Sequence, residues 1–236
     1  MECNHCSHEK SPEKSCIESV PIFSNLSTEE INEIAMITTD REYKKGEIIY
    51  LAGEKGEKLY VIHQGKVKVL KISNTGKEQI IRILGSGDFL GELSLFIHSP
   101  LDSNAEVLEH TTVCVIDGNK LNLIVSKNPA IAIKIIEELS KRLQSAENLI
   151  ESLGLQDVEQ RVADALLRFS EGKNEILLSI SKKDLASHIG ISQETLSRKL
   201  SFFQDLGFIK QTGHRKILIL DRESLMAIQE GGSIVS

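Results

Sequence analysis

Forty residues, Ser181 to Leu220 (SKKDLASHIGISQETLSRKLSFFQDLGFIKQTGHRKILIL), constrain this chain more than any other stretch, because their start, break and turn signals come in a restrictive order. Ser181 with Asp184 three residues on is a capping-box-like start for a short helix, and Gly190 breaks it. Ser192 then caps a second helix that opens Gln193-Glu194-Thr195. Leu196, Leu200, Phe203, Leu206 and Ile209 give the second helix and its exit an apolar side, Gly207 ends it, and Gly213 turns a hairpin. The reading is a helix-turn-helix with a β-wing, and its implied partner is double-stranded DNA. Glu194, Ser197 and Arg198 lie three and four residues apart on one face near the helix N-terminus, where base edges are read. Arg forks onto guanine, Glu accepts from cytosine, and Ser reaches a base edge or a phosphate. Lys182, Lys183, Thr195 and Lys199 are expected to hold phosphates, and Ser192 and Gln193 complete the expected DNA-facing set. The bland alternative, an ordinary capped surface helix, does not account for cap, turn, helix and wing in succession.

Charge sharpens the assignment. The chain carries a formal −6, yet Ser181 to Leu220 holds seven Lys or Arg against three Asp or Glu, a local +4. At 236 residues, 40% hydrophobic and 26% charged, the chain can build more than one core. No apolar run approaches the roughly 20 residues that span a membrane. The start, MECNHCSHEKSPEKSC, has no apolar segment and is not a secretory signal. A cytoplasmic location is therefore expected, where thiols stay reduced and clustered cysteines serve metal or redox chemistry.

The remainder reads as α+β. Ser27 and Glu30 form a capping box for an amphipathic helix with Ile31, Ile34 and Ile37 inward. Short β-branched runs follow at 45–50, 58–62, 65–69 and 79–83, separated by Gly53, Gly56, Gly76, Gly85 and Gly87, as in a small barrel or jelly roll. Asn74-Thr75-Gly76-Lys77 is a hairpin turn. After Asn128-Pro129 the period changes to that of a helix. Ile136, Leu139, Leu143, Ala146, Ile150 and Leu153 form a heptad seam, assigned to the same helix of a second subunit, while Ile131, Ile133 and Ile135 are expected to pack on the roll. A two-fold dimer sets two recognition helices about 34 Å apart on a palindrome.

This order resembles the CRP/FNR family of bacterial transcription regulators over essentially the whole chain. Two motifs carry the resemblance: Gly87-Asp88-Phe89-Leu90-Gly91-Glu92-Leu93 is similar to the family's cyclic-nucleotide-binding roll, and Glu194-Thr195-Leu196-Ser197-Arg198 to its recognition helix. The resemblance implies a cyclic-nucleotide-binding-type β-roll (jelly roll) at 21–127 after a cysteine-containing segment at 1–20. A dimerisation helix at 128–156 and a winged helix-turn-helix at 157–236 complete the chain. It also implies a homodimer, a palindromic promoter site and contact with RNA polymerase. In the cyclic-AMP branch a Gly-Glu pair holds the ribose, an Arg-Ser pair the phosphate and a Thr-Ser pair the base. Here Gly91 and Glu92 are present, but the second pair reads Ser103-Asn104 and the third Ala146-Glu147. Without a guanidinium fork, and with Glu147 near, cyclic AMP is not the expected effector, and Glu92 is expected to serve as a structural carboxylate.

The oxygen-sensing branch is closer. It carries three N-terminal cysteines and one inside the roll, and this chain has four in all: Cys3, Cys6, Cys16 and Cys114. Four thiolates are the number a [4Fe-4S] cluster uses, and that cluster is the favoured reading. The spacing Cys3-x2-Cys6-x9-Cys16 departs from the branch's C-x2-C-x5-C by four residues. Alternatives stay open: a Cys16-Cys114 thiol-disulfide switch as in the similar proteins of lactic acid bacteria, or zinc held by Cys3, Cys6 and His5 or His8. Two more remain, an unidentified small molecule in the roll and Cys114 as plain core packing. Ser197 resembles the oxygen branch, which implies a TTGAT-like half-site; Gln193 matches neither branch. No phosphate-cradling loop, nucleophile elbow or HExxH occurs, so no enzyme is expected.

Overall fold

The computed structural model describes residues 20, 23, 26–97, 99–213 and 215–231. In chain order these form α1 (Thr28–Met36), β1 (Thr38–Tyr43), β2 (Ile48–Tyr50), β3 (Lys58–Gln64), β4 (Val67–Ile72), β5 (Glu78–Leu84), β6 (Phe89–Leu90) and α2 (Glu92–Ile97). Then come β7 (Asn104–Val107), β8 (Thr111–Asp117), α3 (Gly118–Lys127), α4 (Pro129–Leu155) and α5 (Val158–Ser170). The chain closes with β9 (Glu175–Leu177), α6 (Lys182–His188), α7 (Gln193–Asp205), β10 (Ile209–Thr212), β11 (Lys216–Ile219) and α8 (Arg222–Gln229). The described residues fall into two compact units, one within Met1–Val67 and Leu84–Ser140, the other within Lys68–Ile83 and Lys141–Ser236.

In the first unit α1 opens on the full capping box: Ser27 Oγ accepts from the Glu30 amide and the Glu30 carboxylate accepts from the Ser27 amide at 2.7 Å. Ile31 and Ile34 are buried, while Ile37 caps the helix and packs at the edge of the core. An antiparallel sheet in the order β1-β8-β3-β6 forms one wall, with Asp40 opposite Cys114 and Cys114 opposite Val61; β2 pairs with β7. The apolar residues of β3 and β8 meet Val20, Phe23, Leu121, Ile131 and Ile135 in one core cluster. β2 starts at Ile48 rather than 45, because Gly46 takes a positive φ of 84° in a turn that no strand continues through. β1 is a strand the sequence does not announce: TTDREY shows its middle four residues to solvent and has little apolar signal.

Pro129 starts α4, where its missing N–H costs nothing, and Asn128 Oδ1 accepts from the Ala130 amide at 3.1 Å. Ile131 and Ile135, four apart, are buried together, but Ile133 is 58% exposed, against the expectation. A residue two positions on is turned about 200° around the helix, so it cannot share that face. Of the seam, Leu139 packs partly on the roll's core, whereas Ile136, Leu143 and Ile150 are 62%, 62% and 70% exposed.

In the second unit the β4–β5 hairpin turns at Gly76, φ 79°, with the Ser73 amide donating to Lys77 O at 2.9 Å. α5 has its own capping box, Asp157 with Gln160, and an apolar face of Val162, Ala165 and Leu166. A three-stranded sheet in the order β10-β11-β9 forms the wing, and α8 follows. Leu196, Leu200, Phe203 and Ile209 are buried as expected, but Leu206 is 39% exposed: as the C-cap of α7 it falls where the helix ends and the chain turns at Gly207.

Candidate nucleic-acid interface

Local hydrogen bonding explains why α6 and α7 meet at a sharp turn. Ser181 Oγ accepts from the Asp184 amide at 3.0 Å, starting α6, and Ile189 caps its far end. Gly190 then takes φ 73°, and a Cβ there would lie 2.5 Å from Leu153 Cδ2. Only glycine satisfies both the backbone and the space. The Ile191 amide returns to Ala186 O at 3.0 Å, and Ser192 Oγ accepts from the Thr195 amide at 3.1 Å to start α7. Leu196, Leu200 and Phe203 anchor α7 from beneath, which leaves Ser192, Gln193, Glu194, Ser197 and Arg198 exposed on the opposite side. Arg198 leans on Thr195 Oγ1 at 3.4 Å, so the two charged base-reading candidates, Glu194 and Arg198, stand one turn apart on an open face.

The lysines expected to hold phosphates have protein partners. Lys182 Nζ donates to Gln211 Oε1 of the wing at 2.7 Å, tying α6 to β10. Lys183, mostly exposed, lies 3.7 Å from Glu78. Lys199 departs most from expectation: it is paired with Glu159 of α5 at 2.5 Å, its ammonium 5.3 Å from the Phe202 ring centre. Position 199 lies on the flank of α7 beside buried Leu200, which turns it toward α5 rather than outward.

The hairpin supplies partners that local sequence does not announce. Lys68 Nζ donates to Asp184 Oδ1 at 3.0 Å in a buried pair 116 residues apart in sequence. Burial raises the Asp184 pKa, but hydrogen bonds from Ser181 and Lys68 and the Lys68 charge outweigh it, and the carboxyl sits below its usual value. Gln79 Nε2 donates to Ser187 O at 2.7 Å, and Ser187 Oγ bridges Glu78 O and the Ile80 amide at 2.9 and 3.2 Å. His188 beside them is held below the usual imidazole range by burial, with the Arg168 charge adding to it and a backbone hydrogen bond at Ile80 opposing it.

Of the four cysteines, Cys3, Cys6 and Cys16 lie outside the described residues, as do His5 and His8. Cys114 is on β8, 1% exposed, within the same core cluster as Val20 and Phe23. A [4Fe-4S] cluster takes four thiolates. Among the described residues no group of three His, Cys, Asp or Glu could hold a metal ion, so Cys114 by itself does not establish a fit. In the roll, Gly91 takes φ 91°, and a Cβ there would lie 2.5 Å from Lys58 O. Glu92 is buried, and Ser103 is buried beside Asn104, whose Oδ1 accepts from the Ala52 amide at 2.8 Å. Ser103 and Asn104, at the place where the resemblance implies the phosphate-binding pair, carry no guanidinium, and Ala146 and Glu147 are exposed on α4.

A sensor-type β-roll, a long helix and a winged helix-turn-helix with an open reading face define a DNA-binding regulator rather than an enzyme. The sequence matches the cyclic nucleotide-binding domain over residues 40–128 and the Crp-like helix-turn-helix domain over residues 160–228. It is 31% identical over 176 residues to the cAMP-activated global transcriptional regulator CRP of Salmonella typhimurium, covering 71% of this chain and 82% of that protein. It is 29% identical over 214 residues to the Anaerobic regulatory protein of Bacillus subtilis, covering 87% of this chain and 90% of that one. Among solved structures, FixK2 from Bradyrhizobium japonicum superposes with a TM-score of 0.73 at 26% identity, over 85% of this chain and all of that one. The chain belongs to the CRP/FNR family of transcription regulators. No helix among the described residues is long and apolar enough to cross a membrane.

Proposed function

We propose that this regulator takes its input as a redox change at its cysteines and, as a homodimer, delivers it to a palindromic DNA site and to RNA polymerase. The observation that carries the reading is the burial of Val20 and Phe23 in the same core cluster as Cys114. Four peptide units, about 14 Å at full stretch, separate Cys16 from Val20. Cys16 is therefore joined by a short stretch of chain to the core that also holds Cys114, and in this reading oxidation at Cys16 acts on that core. The similarity to a relative named an anaerobic regulatory protein supports the same direction.

Two chemistries serve this input. Cys3, Cys6, Cys16 and Cys114 supply the thiolate number of a [4Fe-4S] cluster, which would bring oxygen sensitivity of its own. Alternatively Cys16 and Cys114 close a disulfide: two thiols lose two protons and two electrons to a peroxide, which leaves as water and alcohol or as two waters. The apolar core around Cys114 favours the second, since a disulfide needs room for one further cysteine side chain beside it, whereas a cluster needs room for four irons and four sulfides. Glu194, Arg198 and Ser197 read a TTGAT-like half-site, with Gln193 at its outer base and Ser192, Thr195, Lys182 and Lys183 on phosphates.

Anaerobically purified protein is assayed for iron and sulfide, then exposed to hydrogen peroxide and mapped by peptide mass spectrometry. Iron and sulfide in equal amount support the cluster; iron-free protein with a Cys16-Cys114 linked peptide supports the disulfide. Iron-free protein with all thiols unchanged contradicts a cysteine input.

A further inference from the structure

The β4–β5 hairpin belongs by sequence to the nucleotide-binding domain match over 40–128, yet in space Lys68–Ile83 belongs with the DNA-binding half. Its dock is specific. One face of α6, formed by Lys183, Asp184 and Ser187, receives Glu78, Lys68 and the backbone edge of β5. The hairpin is also strongly basic: Lys68, Lys71, Lys77 and Arg82 stand against Glu78, a net +3 in a chain of −6. Lys71 and Lys77, with Ser73, Asn74 and Thr75, are exposed at its free end.

We propose that this hairpin is a second DNA-backbone contact surface, in which Lys71 and Lys77 bind phosphates alongside those held by the helix-turn-helix. Three points support it. In a helix-turn-helix the first helix crosses the sugar-phosphate backbone, so whatever is fixed to α6 is carried to the DNA. Lys68 cancels the charge of Asp184, which stands in the first turn of α6 between the helix cap and the face turned to the hairpin, and would otherwise repel phosphate there. The hairpin, net +3, docks on α6 of Ser181 to Leu220, itself net +4, so two net-positive segments far apart in sequence lie side by side. Glu78 is the one acid in the hairpin, and Lys183 lies against it at 3.7 Å. The surface rests on family membership and DNA binding, and is independent of what the cysteines sense.

The test compares full-length wild type with Lys71→Ala/Lys77→Ala, and with Lys44→Ala/Lys45→Ala as a control of equal charge change at exposed positions of the first unit. Binding to a fluorescent pool of random-sequence duplexes, each roughly four helical turns long, is titrated at several salt concentrations. The hairpin variant should lose about ten-fold in affinity, and its log-log salt slope should shrink by roughly 0.9 for each phosphate no longer neutralised. The control should keep the wild-type slope, and Asn74→Lys should tighten binding. Every substituted position is exposed, so folding is not at stake. A hairpin variant with the wild-type slope, or a control that weakens as much, overturns the proposal.

Discussion

Asp184 and Lys68 show how one residue pair joins distant parts of the chain. Their side chains are 12% and 7% exposed, and removing one partner leaves the other charge buried. Lys68→Met should therefore destabilise the protein by about 3–5 kcal/mol, and Lys68→Met/Asp184→Leu should recover most of it, read by urea denaturation. The pH dependence follows from the direction of the Asp184 shift. Its folded pKa lies below the usual 3.8, so the stabilisation is fully present above that value and is lost as pH falls through the lowered folded value. The variant's deficit should accordingly shrink in acid; a deficit independent of pH would detach Asp184 from the pair. The pairing is not legible in the sequence, where Asp184 reads as half of a capping box. Its amide does bond Ser181 and one carboxylate oxygen accepts from the Ser181 hydroxyl, but the other accepts from a lysine 116 residues away. Lys199 departs from expectation for the same reason: outward spacing on a helix does not reveal a Glu159 on a neighbouring helix.

At the scale of elements, what local chemistry dictates is readable and what distant pairing dictates is not. The Ser27, Ser181 and Ser192 caps each depend on a neighbour three residues on, and the breaks at Gly190, Gly207 and Gly213 on a glycine's own positive φ, and all are present. β1 and the three strands after β5 are held by partners elsewhere in the sheets, and β1 carries too little apolar pattern to announce itself. α4 is the intermediate case. Its apolar pattern is legible, but the pattern serves two purposes, since Ile131 and Ile135 are spent on the roll while Ile136, Leu143 and Ile150 repeat every seven residues in the open. Three large aliphatic side chains on one exposed row are what a helix that pairs with its own copy would present. Leu143→Glu, at a position 62% exposed in the protomer, should fold normally yet sediment as a monomer, because the dimer would bury an unpaired charge. Dimers of wild-type affinity in analytical ultracentrifugation would remove the seam from the interface.

The whole molecule combines a β-roll, in which Ser103 and Asn104 stand where the resemblance to the cyclic-AMP branch implies a phosphate-binding pair, with a candidate recognition helix whose polar face is open. Cys114 sits in the roll's core, and the candidate DNA-reading residues sit in the other unit, so a signal at the first must alter affinity at the second to regulate anything. Coupling of that kind shifts affinity by roughly 5- to 150-fold. The decisive measurement is the affinity of full-length protein for a duplex bearing inverted TTGAT arms, taken by fluorescence anisotropy with the protein kept anaerobic and reduced and again after oxidation, for wild type and for Cys114→Ser. Wild type should show a difference within that range that vanishes in Cys114→Ser while the variant still binds DNA. Equal affinities in both states of the wild type, or a difference that survives in Cys114→Ser, would contradict it.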